Sequence, residues 1–422
     1  MRAVTAPRPT VTAAQRRTLV AAALGWMLDA FDTMLYALVL AHVMRDLGMS
    51  KAVSGLLATL TLVASGIGGL LFGFIADHIG RKRALMLSIL TYSVCSFASG
   101  LATSIAMLAV ARFILGLGMG GEWNTGATLV AETWPTELRA KAIAIVQSSW
   151  AIGYALAALV AGVVLHYANW RTVFFVGILP AMVTLWIQSR VPESEMWKEH
   201  RRLAEDSSRV RSAQAEYEQH SFARIFQPPY VRSTFALLLA NFFGMFAWWG
   251  LFTWLPPYLS LPPNEGGRGF GVLGTTALLV VLNLFGMFPG YAGFGWVADR
   301  LGRRRSFILY TGLAAILVPM YALAREPWLI LVIGTVTAFF GTGFFSGSGI
   351  IGSEIFPTRV RARALGFTYN GARTMSAVAP YVIGRVGQAR GLSWAFYLCS
   401  AAFFLSMLAS TQLPETRGKT LD

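Results

Sequence analysis

The sequence predicts an all-α polytopic membrane protein of twelve transmembrane helices, arranged as two six-helix bundles related by pseudo-two-fold symmetry. Three observations predict it. The 422 residues are 55% hydrophobic and only 13% charged, with a mean hydropathy of +0.56, which is far too apolar for a soluble chain of this size. Apolar runs long enough to cross a bilayer, about 20 residues each, recur twelve times. The two halves of the chain also carry the same marks at one constant offset of 222 residues.

The spans are expected at 19–41, 53–76, 84–104, 106–130, 142–165, 170–188, 234–259, 272–298, 306–324, 327–351, 364–386 and 392–413. The one long polar segment, Ser189 to Ser233, holds eight basic residues and seven acids and reads as a cytoplasmic linker with room for a surface helix. It divides the chain into an N-terminal bundle (1–188), the linker (189–233) and a C-terminal bundle (234–422). The repeat confirms that division. Gly73, Asp77, Gly80 and Arg81 recur as Gly295, Asp299, Gly302 and Arg303. Glu132, Pro135 and Arg139 recur as Glu354, Pro357 and Arg361, and Pro192 and Glu193 as Pro414 and Glu415.

The net charge of +15 has a topological cause. With both termini cytoplasmic, 26 of the 35 Lys and Arg residues fall on the inner side and 7 on the outer, as the positive-inside rule requires. No basic recognition module with interleaved aromatics is present, so nucleic acid is not an expected partner; the bilayer is. Cys95 and Cys399 fall inside apolar spans and read as packing residues. The N-terminus leads straight into a full-length span with no cleavable signal pattern. Neither metal-ligand spacing nor a nucleophile–base pattern appears, so neither an enzyme nor a cofactor is expected.

Ionisable residues at membrane depth carry the functional signal. A charge at the bilayer centre costs roughly 2.5 to 3.5 kcal/mol on insertion scales, so it persists where it faces a water-filled cavity or a partner. There are five here: Asp29 and Asp32 on span 1, Arg112 and Glu122 on span 4, and Arg373 on span 11. Asp29 and Asp32 are three residues apart, about 60° around a helix, and so point to one face. Helical rise puts Asp32 about 20 Å and Arg112 about 26 Å from the cytoplasmic side, a gap an arginine side chain bridges. A guanidinium fits a carboxylate bidentately, which makes Arg373 a candidate for a substrate anion; pairing with Glu122 or Asp29 is the other role open to it. Tyr369 and Asn370 stand beside it as hydrogen-bonding candidates. Trp248, Trp249 and Trp254 on span 7 suit either an apolar cavity wall or an interfacial belt.

At this point the chain resembles the major facilitator superfamily over nearly its whole length. Gly73 to Lys82 matches that family's loop between the second and third helices, and Gly295 to Arg304 its copy between the eighth and ninth. The resemblance implies gating roles at the inner side for Asp77, Arg81, Asp299 and Arg303, and for the relay Glu132 with Arg139 and Glu354 with Arg361. Arg112 to Glu122 resembles the fourth-helix arginine motif associated with proton coupling. In similar sugar–proton symporters an aspartate in the setting of Phe31, Asp32 and Thr33 pairs with that arginine. The resemblance therefore implies proton coupling through Asp32 and Arg112, with Asp29 and Glu122 nearby; a permanent buried salt bridge is the competing role. A carboxylate beside a guanidinium stays ionised, and one separated from it in a closed site takes up a proton.

Asp29, Phe31 and Asp32 also resemble the signature of aromatic-acid and sialic-acid proton symporters, with Ala30 where those carry glycine. Gly118 to Thr128, including Trp123 and Asn124, followed by Glu132, Trp134, Pro135 and Arg139, is similar to bacterial sialic acid permeases, as is Pro192 to Glu199. Trp123 and Asn124 thus join the substrate-binding candidates. Those permeases usually carry extra mid-chain membrane segments where this chain is polar, which favours the wider metabolite–proton symporter group, lactate carriers included. The implied function is symport of a small organic anion with a proton by alternating access, in a bacterial plasma membrane, by a monomer. A proton-independent uniporter or exchanger, and a non-transporting receptor or scaffold, are the alternatives.

Overall fold

Each apolar run forms helix in the computed structural model, which describes residues 11–204, 222–356, 361 and 364–418; no strand occurs among them. The helices overrun the apolar cores because polar caps satisfy their first turns. Span 1 is Ala13–Asp46, opened by a reciprocal capping pair between Thr12 and Gln15. Span 2 is Lys51–Ile79, where the Ser50 hydroxyl accepts from Val53 N. Span 3 is Arg81–Gly100, span 4 Ile105–Thr133 and span 5 Thr136–Tyr167. Span 6 is built from Trp170–Val176 and Ala181–Arg190, and span 7 is Val231–Ser260. Spans 9, 10 and 12 are Arg303–Leu323, Pro327–Ile355 and Leu392–Ser410. Within the linker, Glu195–Ala204 is helical, as the sequence allowed.

Two spans are interrupted. Span 8 runs Val272–Val281, then a π-helical turn Leu282–Met287, then Phe288–Leu301. Span 11 has a π-helical turn at Gly366–Gly371, then Ala372–Ser376 and Ala379–Arg390. Such turns are common at functional sites, and the second carries Tyr369 and Asn370 just ahead of Arg373. Among the described residues, ten helices are long and apolar enough to cross a membrane; spans 3 and 11 fall short of that measure. Span 3 gives it up to Arg81, Lys82 and Arg83 and a row of serines, span 11 to its breaks, Asn370 and Arg373.

The repeat holds in three dimensions. Span 4 packs on spans 2 and 3 and span 1 on span 5; in the second half, span 10 packs on 8 and 9 and span 7 on 11. Arg81 bonds Asp77 at 2.7 Å and Glu132 at 3.2 Å, and Arg303 bonds Asp299 at 2.8 Å and Glu354 at 3.1 Å. Gly80 and Gly302 turn the chain with φ of 101° and 99°, values that side-chain-bearing residues rarely adopt. Just past each turn a carboxylate accepts from the start of the next helix, Glu193 from Lys82 N and Glu415 from Arg303 N, where a negative charge is favoured. All of these bonds lie within one half. They fasten spans 2, 3 and 4, or 8, 9 and 10, to one another, with the chain segment after each bundle locked on.

The halves meet along spans 2 and 11, spans 5 and 8, and spans 1 and 7. Among the described residues, several hydrogen bonds that cross between halves lie at the end of the bundle away from the chain termini. There Lys51 Nζ donates to Glu265 O at 2.6 Å, Ala52 N to Gln388 Oε1 at 3.2 Å and Tyr381 N to Thr59 Oγ1 at 3.3 Å. A side chain on Gly55 would overlap the Pro380 carbonyl, and one on Gly384 would strike the Lys51 carbonyl. The close approach of spans 2 and 11 at this far end depends on those two glycines.

Candidate transport site

At mid-depth, between the halves, aromatic rings surround a narrow, nearly closed cavity of about 20 Å³, room for about one water molecule. Span 1 supplies Trp26, span 5 Gln147 and Trp150, and span 7 Met245, Trp248 and Trp249. Tyr291, Phe345, Tyr369 and Arg373 complete it from spans 8, 10 and 11. Rings form a continuous chain across the interface: Trp123 lies 4.5 Å from Trp26, Trp26 lies 4.8 Å from Trp150, and Trp150 lies 6.1 and 6.0 Å from Trp248 and Trp249. Trp123 also stacks on Tyr369 at 6.4 Å. These contacts join the two bundles through π-faces, which bury large area with few rotatable bonds.

The cavity holds donors that the protein itself leaves unused. Arg373 is 8% exposed, its Cζ lies 5.9 Å from the Trp26 ring, and its Nη2 has no hydrogen-bond partner. The indole N–H groups of Trp26 and Trp150 are likewise buried and unpartnered. A buried donor left unmade costs about 1 to 3 kcal/mol, more when charged, so three around one cavity form a site shaped to receive acceptor oxygens. Gln147 lies within hydrogen-bonding range of the Tyr291 and Tyr369 hydroxyls and ties spans 5, 8 and 11 at the cavity edge.

The five buried charges fall into two groups. Asp29, Asp32 and Glu122 are fully buried, Arg112 is 2% exposed, and no ion pair within 4 Å links any of the five. Glu122 lies against Gly25, where a side chain would collide with its Oε1, and Arg373 from the other half acts electrostatically on both Asp29 and Glu122. Asp32 turns elsewhere. Its Oδ1 accepts from Ser96 of span 3 at 2.9 Å and lies against Gly177 of span 6. The face that the spacing predicts as shared is divided: Asp29 is directed to the interface and Asp32 into the N-terminal bundle.

The expected Asp32–Arg112 contact is not formed. Arg112 lies over the Tyr36 ring, 4.8 Å from its centroid, with Nε and Nη1 unpartnered, and acts on Asp32 only at longer range. Asn124 also departs from expectation: its amide donates to Gly69 O at 2.9 Å, so it pins span 4 to span 2 rather than facing solute. Tyr369 lines the cavity, Trp123 packs behind its wall against Trp26 and Tyr369, and Asn370 is half-buried. Of the span 7 tryptophans, Trp248 and Trp249 form cavity wall, whereas Trp254 donates to Pro380 O at 2.8 Å and seals the far end. Of the relay residues, Arg361 donates to Phe356 O at 3.1 Å, and the side chain of Arg139 lies outside the described residues. Sequence reasoning missed Trp26, Gln147, Trp150, Tyr291 and Ser96. Gln147, the first of a polar triplet with Ser148 and Ser149 in an apolar span, carried a usable signal.

Two bundles related by an internal repeat, with one aromatic cavity holding a buried arginine between them, are the architecture of a transporter. The family model of the Major Facilitator Superfamily matches residues 22–292 and 261–421. The chain belongs to that superfamily, whose members are membrane transporters and not enzymes. It is 33% identical over 415 residues to a protein of Cupriavidus pinatubonensis named "Probable 4-methylmuconolactone transporter", covering 97% of this chain and 92% of that one. It is 31% identical over 409 residues to the sialic acid transporter NanX of Escherichia coli, covering 95% of each. In fold it resembles a partially occluded inward-open xylose transporter of E. coli, with a TM-score of 0.78 at 16% identity, covering 97% of this chain and all of that one.

Proposed function

We propose that this transporter carries a small organic anion, a carboxylate, together with a proton by alternating access. The observation that carries the reading is Arg373: a buried guanidinium from the C-terminal half, with an unpartnered N–H, at an aromatic cavity, within electrostatic reach of the buried acids Asp29 and Glu122 of the N-terminal half. A carboxylate entering there gains a charge-assisted hydrogen bond and neutralises the buried cation. The names of the relatives, a sialic acid transporter and a muconolactone transporter, support an organic-acid solute.

Proton coupling rests on Asp32. A fully buried carboxylate whose only protein partner is a serine hydroxyl is costly while charged, by several kcal/mol, and that cost vanishes on protonation. Arg112, held over Tyr36, is the cation that can approach Asp32 when the bundle rearranges and release the proton. No cofactor beyond the coupling proton is invoked. In this reading both termini are cytoplasmic, the far end faces outward in a bacterial plasma membrane, and the monomer is the working unit. The described conformer is then closed outside, and the ionic clusters at Arg81 and Arg303 stiffen each half's inner end so that it moves as a body.

The test is uptake by purified protein in liposomes loaded with a pH dye, with lactate, pyruvate, benzoate, sialic acid or a dicarboxylate added outside. Internal acidification with one class of acid supports symport. Solute exchange without acidification favours the exchanger, a reading to which the unformed Asp32–Arg112 contact lends weight.

A further inference from the structure

At the end of the N-terminal bundle nearest the chain termini, where span 3 begins and span 6 ends, the linker helix Glu195–Ala204 borders a pocket of about 480 Å³, within the range of ligand pockets. Four cations line it, Lys82 and Arg83 from span 3 and Lys198 and Arg202 from the linker helix, against one carboxylate, Glu193. That carboxylate is spent on backbone, accepting from Lys82 N and Ser194 N. Lys82 Nζ donates to Gln188 O at 2.7 Å, and Lys198 pairs with Glu195 in an exposed contact of little worth. Among the described residues, neither Arg83 nor Arg202 has a carboxylate within 4 Å. The pocket wall is fixed by Trp197, whose indole donates to Asp77 O at 2.9 Å.

Two apolar rows run from this pocket over the membrane-facing side of the bundle. On span 3, Leu87, Leu90, Val94 and Phe97 follow Arg83 at alternating steps of four and three, share its face and are exposed. On span 6, Leu185, Met182 and Leu179 precede Gln188, which lines the pocket, at steps of three, and are exposed as well. Spans 3 and 6 pack on each other, with the Phe97 and Phe175 rings 4.9 Å apart at the other end of the rows. Apolar surface is ordinary on a membrane-facing helix; these two rows are set apart by ending at a basic pocket. A soluble anion would use the cations and leave the rows idle. We infer that the pocket and the rows together bind an anionic phospholipid, its phosphate among Arg83, Lys198 and Arg202 and its acyl chains along spans 3 and 6. The bound lipid bridges both spans to the linker helix and holds that helix on the N-terminal bundle. The site is separate from the central cavity and independent of the solute carried.

The experiment is native mass spectrometry of the full chain in neutral detergent, titrated with dioleoyl phosphatidylglycerol, dioleoyl phosphatidylcholine or glycerol 3-phosphate. Phosphatidylglycerol is expected to bind more tightly than phosphatidylcholine, and glycerol 3-phosphate, the headgroup chemistry without acyl chains, is expected not to displace it. Arg83→Gln with Arg202→Gln weakens phosphatidylglycerol binding about 30-fold, the worth of two basic residues at a lipid surface. Lys198→Gln with Arg202→Gln does the same should the first pair not fold. Arg304→Gln with Arg305→Gln removes equal charge from the corresponding place in the second half, 222 residues on, and leaves the affinity unchanged. Equal binding of the two lipids, or equal loss in both halves' variants, shows general attraction without a site and overturns the inference. Displacement of the lipid by glycerol 3-phosphate at comparable concentration makes the pocket a soluble-anion site and overturns it too.

Discussion

Ser96 donates a 2.9 Å hydrogen bond to Asp32, while Arg112, the cation expected beside that carboxylate, stands over the Tyr36 ring. The contact couples span 3 to the acid on span 1 and leaves Arg112 poised on a ring that is itself anchored, the Tyr36 hydroxyl donating to Ser54 O at 3.0 Å. Cation–π contacts in desolvated surroundings contribute about 2 kcal/mol, comparable with what a rearrangement toward Asp32 must exchange. Tyr36→Leu therefore releases Arg112 toward Asp32. Its expected effect is slowed proton-coupled uptake with near-normal solute exchange, and comparing the two rates in liposomes checks it.

Arg373→Lys keeps the charge and loses the fork. If the substrate carboxylate is held by that fork, its affinity falls roughly 10- to 150-fold, the worth of a charge-assisted hydrogen bond of about 1.5 to 3 kcal/mol. Calorimetric titration of the purified variant with the transported acid measures this directly, and unchanged affinity would move the anion site elsewhere.

Gly80 and Gly302 occupy a region of backbone space open essentially to glycine alone, with ψ of 157° and 155° beside their positive φ. Each replacement by alanine costs about 1 to 3 kcal/mol in strain, and the new methyl would press on the Glu193 or Glu415 carboxylate. The two costs add in the double variant because the sites lie in separate halves. Thermal unfolding in detergent is the measurement.

The far-end closure predicts a conformational phenotype. Gly55→Leu forces a side chain onto the Pro380 carbonyl, at an overpacking cost of about 1 to 3 kcal/mol that falls only on the closed arrangement. Labelling of Thr59→Cys by a membrane-impermeant maleimide should quicken roughly tenfold or more in that background. An unchanged rate would show that the closure does not depend on this approach.

Much of the architecture was legible because hydropathy and the repeat are properties of the chain itself. Apolar length set the spans, and the constant offset anticipated that Arg81 and Arg303 would make matching bonds. Burial cost singled out Asp29, Asp32, Arg112, Glu122 and Arg373, since only a site or a partner retains such groups. What could not be read was direction. Asn124 and Trp123 are adjacent in sequence, yet one spends its amide on span 2 and the other packs on the cavity rings Trp26 and Tyr369, a choice made by neighbouring helices. Asp29 and Asp32 diverge for the same reason: Ser96 and Gly177 receive one while Gly25 and Glu122 bracket the other's surroundings. Trp26 and Trp150 were hidden among thirteen tryptophans, most of which a membrane protein could place at its interfaces.

In the proposed cycle a proton travels with the acid and Asp32 carries it. The most direct measurement is accumulation of a labelled acid in proteoliposomes under an imposed pH gradient, acidic outside, by the unaltered protein and by Asp32→Asn, whose amide oxygen can still accept from Ser96. Uphill accumulation is expected of the first, and of the second none above equilibrium although exchange of internal for external acid persists. Accumulation by Asp32→Asn equal to that of the unaltered protein would contradict it.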